Sequence, residues 1–161
     1  MQEIKRSAPQ ATHALAAGSG KHSELISHGV PEELSLVPFH NRAQAPLTRR
    51  VLSGPSIHTN LNRRIVIHEL RDVRAEERHY CDPHFHDFAE INVLLSMTRL
   101  TYEVRLGDDV YIVEAPASIH IPAGLVHSAN VLEGSGFFIA LLDTVEYSAQ
   151  TLPGLSARRS E

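Results

Sequence analysis

The chain of 161 residues is short of several things, and each shortage excludes something. It has one cysteine, Cys81. A disulfide framework is therefore ruled out, and a reducing compartment such as the cytoplasm suits it. A lone cysteine of this kind reads as a small, half-buried side chain. Tryptophan is absent. No run approaches the roughly 18 apolar residues that cross a bilayer, and the opening MQEIKRSAPQ has no apolar leader core. The expectation is a soluble protein with no membrane contact. An excess of positive charge is also missing, with 15 Lys and Arg against 19 Asp and Glu, for a formal net charge of −4. The basic doublets Arg49-Arg50, Arg63-Arg64 and Arg158-Arg159 are too scattered for a phosphate track, so no nucleic-acid partner is expected.

A helical period is missing where most of the apolar residues lie. From about Arg63 to Asp143, short runs rich in Val, Ile, Leu and Tyr follow one another: RRIVIHEL, EINVLLS, LTYEVRL, DVYIVEA, SIHIPA, HSANVL and GFFIALL. Turn material separates them, as in LGDD, EAPAS, PAG and EGSG. Strands at this pitch without crossover helices point to an all-β, antiparallel sandwich or barrel. The 42% hydrophobic content is enough to fill its core. Residues 1–35, rich in Ala, Ser, Gly and His, read as a flexible N-terminal segment, with GVPEELSL (29–36) able to start a short helix at Pro31. Residues 36–62 read as an extended arm that packs on the barrel or on a partner. Residues 63–147 form the barrel and 148–161 a tail.

The chemistry concentrates in DPHFHDFAE, residues 82–90. Side chains of an extended strand alternate between faces, so His84, His86, Glu90 and Asn92 share one parity. Two imidazoles and a carboxylate on one interior face suit a divalent transition metal with open positions. A further ligand is available in HIPAGLVHSAN (120–130), where the Pro122–Gly124 turn can carry His127 back beside the first cluster. Burying these polar groups without a cation would leave them unpaired.

These two stretches resemble the paired motifs of the cupin superfamily. His84, His86 and Glu90 match its H-x-H-x3-E pattern, and Pro122, Gly124 and His127 match P-x-G-x2-H, with Asn130 one position early for the asparagine that follows. The similarity spans about residues 64–143. Arg78, Met97 and Pro116 stand where the family carries turn glycines, which leaves the ligand positions intact. The resemblance implies a small single-domain jelly-roll β-barrel whose metal is held by His84, His86, Glu90 and His127. It also implies a homodimer, with residues 36–62 able to supply a strand that covers an open sheet edge.

Iron(II) is the favoured metal, with manganese, nickel, cobalt or zinc able to fill the same site. The function expected is that of a metal-dependent enzyme acting on a small organic molecule, with an iron(II)-dependent oxygenase as the leading form. A metal-dependent isomerase, decarboxylase or lyase that needs no oxygen is the alternative, and a non-catalytic small-molecule-binding cupin is a third reading. Asn92, Tyr102, Arg105 and His120 are candidate substrate contacts. Tyr102 and Arg105 have opposite parities, so at most one faces inward. His58, His68 and His79 are expected at the surface or against a partner.

Overall fold

The computed structural model describes residues 21–41, 45–54, 57–58, 61–74 and 79–151. Most of the expected N-terminal segment and of the tail thus lies outside the described residues, as does Arg78. Among the described residues eight strands build the fold: β1 (Val30–Pro31), β2 (Leu47–Ser53), β3 (Arg64–Val73), β4 (Glu90–Leu95), β5 (Leu100–Leu106), β6 (Asp109–Glu114), β7 (Ala117–Ile121) and β8 (His127–Leu142). Every pairing among them is antiparallel. The apolar runs become strands because alternate residues can be buried on one face: Val66 and Leu70 in β3, Leu94 in β4, Tyr102 and Val104 in β5.

β8 organises the whole. Its first half pairs with β5, from Leu106↔His127 to Leu100↔Gly134. Its second half lies between β3 and β4, pairing with both. The hydrogen-bonded order β1-β2-β3-β8-β4-β7 thus forms one layer, and β5 with β6 joins it through β8. The result is an antiparallel jelly roll. Gly134 allows β8 to change layers. Its φ is +108°, and a Cβ there would stand 2.0 Å from the Arg99 carbonyl oxygen, so backbone passes where no side chain fits. Leu94, Leu100, Tyr102, Val104, Val131, Val66 and Leu70 fill the interior, each at most 1% exposed.

Two local expectations are corrected. GVPEELSL does not start a helix at Pro31. Val30 and Pro31 instead pair with Val51 and Arg50, and only a three-residue 3-10 turn, Leu34–Leu36, follows. Backbone pairing with the edge of β2, and the ion pairs that tie Glu32 to Arg49 and Arg64, hold the segment extended in place of a helical turn. The second concerns continuity: His84 and Glu90 do not share one strand. The chain is extended at 84–85, bends at 87–88 and enters β4 at Glu90. Within residues 36–62, β2 pairs with β3 of the same chain, Arg49 opposite His68 and Val51 opposite Val66. Among the described residues no helix is long and apolar enough to cross a membrane.

Candidate metal centre

His84 and His127 are brought together by backbone. The His84 amide donates to the His127 carbonyl at 3.0 Å, and the His127 amide donates back at 2.8 Å. In such a mutual pair the two side chains project alongside each other, and their rings sit 4.6 Å apart. Asn130, three residues along β8, holds the loop that carries His84. Its Oδ1 accepts from the Cys81 amide at 2.9 Å and its Nδ2 donates to the Cys81 carbonyl at 3.0 Å. The Gly124 amide donates to the His86 carbonyl at 2.8 Å, so the turn between β7 and β8 also ties down the third histidine. Gly124, with φ +81°, is the residue that this turn requires.

The ring nitrogens follow one rule. His84 Nδ1 meets the Asp82 carbonyl at 2.8 Å, His86 Nδ1 the Phe88 carbonyl at 2.8 Å, and His127 Nδ1 the Leu125 carbonyl at 2.9 Å. A carbonyl only accepts, so each ring places its proton on Nδ1 and turns the Nε2 lone pair inward. Backbone carbonyls orient metal-binding histidines in this way. The three candidate ligand nitrogens lie within 4.8 Å of one another, and all three side chains are buried. Glu90, at the first position of β4, faces the same point, with carboxylate oxygens 3.3 Å from His86 Nε2 and 3.5 Å from His127 Nε2. Asn92 Nδ2 steadies it at 3.0 Å. His86 stacks on Phe88 at 4.0 Å between ring centres.

The centre is thus made of acceptors facing acceptors. His86 Nε2 is buried and has no hydrogen-bond partner. Burial drives the His84 pKa down to about 3, with the charge of neighbouring His127 adding to the shift. Burial likewise lowers His127. For Glu90, burial raises the carboxyl, but His86, His127 and the Asn92 amide outweigh it and hold the group below its ordinary value. Three inward-turned imidazoles and a carboxylate converge here with more acceptor positions than the Asn92 amide and the Tyr147 hydroxyl can satisfy, and such a set calls for a cation. The site can hold a metal ion.

A cavity of about 50 Å³ adjoins the centre, lined by His84, Glu90 and His127 on one side and by Arg49, His68 and Tyr147 among others. At roughly 12 Å³ per water-sized group it admits about four such groups. Asn92 lines it too, with Oδ1 buried and unpaired. The other three candidate substrate contacts fall elsewhere. Tyr102 does face inward and is fully buried, but it packs on Phe138 at 5.3 Å in the core below the cavity. Arg105 sits on the opposite face of β5 with its guanidinium on the Gly107 carbonyl. His120, paired with Ile91 on the outer side of β4 and β7, is exposed. Alternation along each strand is the reason: both lie out of phase with the buried residues Val104 and Ile119.

His68 is a correction in the other direction. It is not at the surface but 3% exposed, stacked on Phe138 and facing the cavity. His79 is exposed and takes φ +64° in a loop, and His58 is bonded to Ser27. Cys81 is buried rather than half-buried, and burial pushes its thiol up to about 12, so it is an inert lining group. His40, Arg49 and Tyr147 carry no motif spacing, yet all three line the cavity. Burial, then the charges of Arg49 and His127 among others, brings His40 down to about 4. Tyr147 donates its hydroxyl to His84 Nε2 at 3.0 Å. The parity of Arg49 with Val51 and Ser53 was the one readable signal that it points inward.

No family model and no curated protein matches the chain. Solved structures do match. A Bacillus subtilis oxalate decarboxylase variant aligns at 20% identity with a TM-score of 0.52, covering 84% of this chain and 35% of that one. A second structure, concerned with the Mn(II) centres of the same enzyme, aligns at 20% identity and 0.50, covering 79% and 33%. An RmlC-like cupin from Shewanella frigidimarina aligns at 16% and 0.47, covering 64% and 79%. The chain spans about a third of the oxalate decarboxylase chains it matches. The fold is that of the cupins, as the two spaced motifs imply.

Proposed function

We propose that the chain is a metal-dependent enzyme of the cupin type that acts on a small organic molecule, with iron(II) as its metal and dioxygen as co-substrate. The observation that carries the reading is the inward convergence of three Nε2 atoms and the Glu90 carboxylate, with His86 Nε2 buried and without a hydrogen-bond partner. Three nitrogens and one carboxylate oxygen leave one or two positions of a five- or six-coordinate ion for other ligands. When bound, iron(II) would supply oxygen activation, and a redox-silent ion would supply Lewis-acid polarisation. The chain's own residues do the rest. The carbonyls of Asp82, Phe88 and Leu125 fix the rings, and Asn92 orients Glu90. The Tyr147 hydroxyl, its pKa raised by burial, stays protonated as a hydrogen-bond donor beside His84.

A second reading is a metal-dependent decarboxylase or lyase that needs no oxygen. The fold-level likeness to a decarboxylase with manganese centres favours it. One experiment separates the two. Protein purified without chelators is assayed for metals, loaded anaerobically with iron(II) or manganese(II), and offered small organic substrates with and without oxygen. Oxygen consumption that requires iron and vanishes in His86→Ala supports the first reading. Equal anaerobic turnover with manganese selects the second, and turnover that survives His86→Ala sinks both. We further propose a homodimer, supported by the exposed apolar residues Ile91 and Leu95 of β4 beside Phe137 of β8. Sedimentation equilibrium tests it, and a monomer at micromolar concentration refutes it.

A further inference from the structure

The cavity has a second charged wall. Arg49 on β2 is 8% exposed and lines the cavity together with Glu90 and His127. It is held from behind. Its Nε donates to Glu32 Oε2 at 2.8 Å, and its Nη1 donates to His68 Nε2 at 2.7 Å. A guanidinium has five N–H donors, and Glu32 and His68 take one each.

The His68 bond fixes a further donor. A guanidinium cannot accept, so His68 Nε2 must, and its proton lies on Nδ1. Burial, with the Arg49 charge adding to it, keeps this ring neutral. Its Nδ1 is buried without a partner. The Arg49–His68 pair is directly cross-strand, so the two groups present adjacent donors, and among the described residues His68 Nδ1 has no acceptor.

Charge points the same way. Arg64 also bonds Glu32, so two guanidinium groups share one carboxylate. That cluster keeps one positive charge in excess. At the other wall, Glu90 neutralises one of the two charges a divalent ion would bring. A site positive at both ends attracts an anion. Arg49 and Tyr147 also line an outer recess of about 480 Å³ together with Arg64 and Glu146, so the same guanidinium borders both that recess and the inner cavity.

We propose that Arg49 and His68 form a carboxylate-binding wall, and that the ligand of this site is a small carboxylate of about four non-hydrogen atoms. One end faces the metal centre, and the carboxylate lies on Arg49 in the paired-donor geometry a guanidinium offers. The size limit is that of the inner cavity. The assignment deepens the metal-dependent reading and rests on it.

The test uses the full chain loaded with cobalt(II), whose visible spectrum reports ligands at the metal, with metal content measured separately. Acetate and glycolate are titrated against acetamide, a neutral group of the same shape as acetate. At least ~10-fold tighter binding of the anions is expected for a charge-assisted pair. Arg49→Met should remove that preference at unchanged cobalt content. If its circular dichroism shows it unfolded, Arg49→Lys, which retains the charge facing Glu32, should lower the preference several-fold. No preference in the wild-type chain, or the same preference in the folded Arg49 variant, overturns the proposal and leaves the metal reading standing. Failure to hold cobalt at all sinks the metal reading instead. Calorimetry of the metal-free chain then decides the carboxylate wall: Arg49-dependent acetate binding upholds it, and none overturns it.

Discussion

Replacing Tyr147 by phenylalanine tests the metal assignment through a group that is not itself one of the four candidate ligands. The Tyr147 hydroxyl donates to His84 Nε2 at 3.0 Å, and this is the lone pair a metal would take. The ring is otherwise held by edge contacts to His86 and Phe88 at 6.2 and 6.1 Å between centres. Tyr147→Phe keeps those contacts and removes only the competing donor. A neutral hydrogen bond contributes about 0.5–1.5 kcal/mol net. Metal binding to the wild-type chain must give up that bond, whereas the variant has nothing to give up. Its affinity for a divalent ion should therefore be tighter by a factor of about 2–13. The metal-free variant should also melt lower, by about 2–4 °C per kcal/mol for a chain of this length. With metal bound the two proteins should melt within a degree or so of each other. Competition with a chromophoric chelator gives the affinities, and calorimetry gives the midpoints. Unchanged or weaker metal affinity in Tyr147→Phe would refute the reasoning, because His84 would then not offer Nε2 to the ion.

Four further outcomes are expected. His86→Ala should lose metal by at least ~100-fold, because it removes a ligand where loss of a supporting partner alone costs 10–100-fold; equilibrium dialysis measures it. In the metal-free chain, stability should fall steeply as pH drops below about 6. His84, His40, His68 and His127 all have folded pKa values below that of a free imidazole, so the unfolded chain binds more protons, and their contribution is intact above ~6.5 and lost towards the folded values. At pH 5 each strongly depressed histidine gives up about 2 kcal/mol, so urea midpoints at pH 7 and pH 5 should differ widely, and equal midpoints would contradict the burial. Glu32→Ala should cost about 3 kcal/mol by leaving Arg49 buried and unpaired, read as a lower melting temperature. Gly134→Ala should prevent folding or cost more than ~3 kcal/mol, seen in expression and circular dichroism, because its Cβ would overlap the Arg99 carbonyl.

Period-two alternation was enough to read most of the barrel. Each apolar run from RRIVIHEL to GFFIALL became a strand, and all but DVYIVEA, which pairs with β5 alone and stays largely exposed, bury residues on one face. HSANVL and GFFIALL looked like two strands separated by EGSG, and they are one, β8. A Gly-Ser-Gly stretch ordinarily marks a turn. Here it is the place where one strand leaves the β5 layer for the β3–β4 layer, and only the positions of Arg99 and Leu95, far along the chain, make that crossing fit. β2 was harder to anticipate. LTRRVLS alternates correctly, but two arginines among three apolar residues suggest a solvent-facing arm. Glu32 reverses that inference by accepting from Arg49, and nothing in local sequence announces a partner 17 residues away.

The centre divides along the same line. His84, His86, Glu90 and His127 are legible because two fixed spacings carry them, and backbone geometry turns each spacing into a direction. What surrounds them has no spacing. Arg49, His40 and His68 come from strands and loops before the first motif, and Tyr147 comes from beyond the last strand, so only tertiary folding brings them to one cavity. This asymmetry has a chemical consequence. A cation needs ligands at fixed angles, which a short motif on a rigid scaffold supplies. A ligand of variable chemistry is recognised by whatever the rest of the barrel presents, here a buried guanidinium and a neutral imidazole rather than an apolar wall. On the proposed reading, the same motif on a barrel with leucine at 49 and phenylalanine at 68 would still offer a cation its ligands but would have no electrostatic preference for carboxylates. On the proposed reading, specificity rests on Arg49 and His68, which lie outside both motifs and face the same cavity.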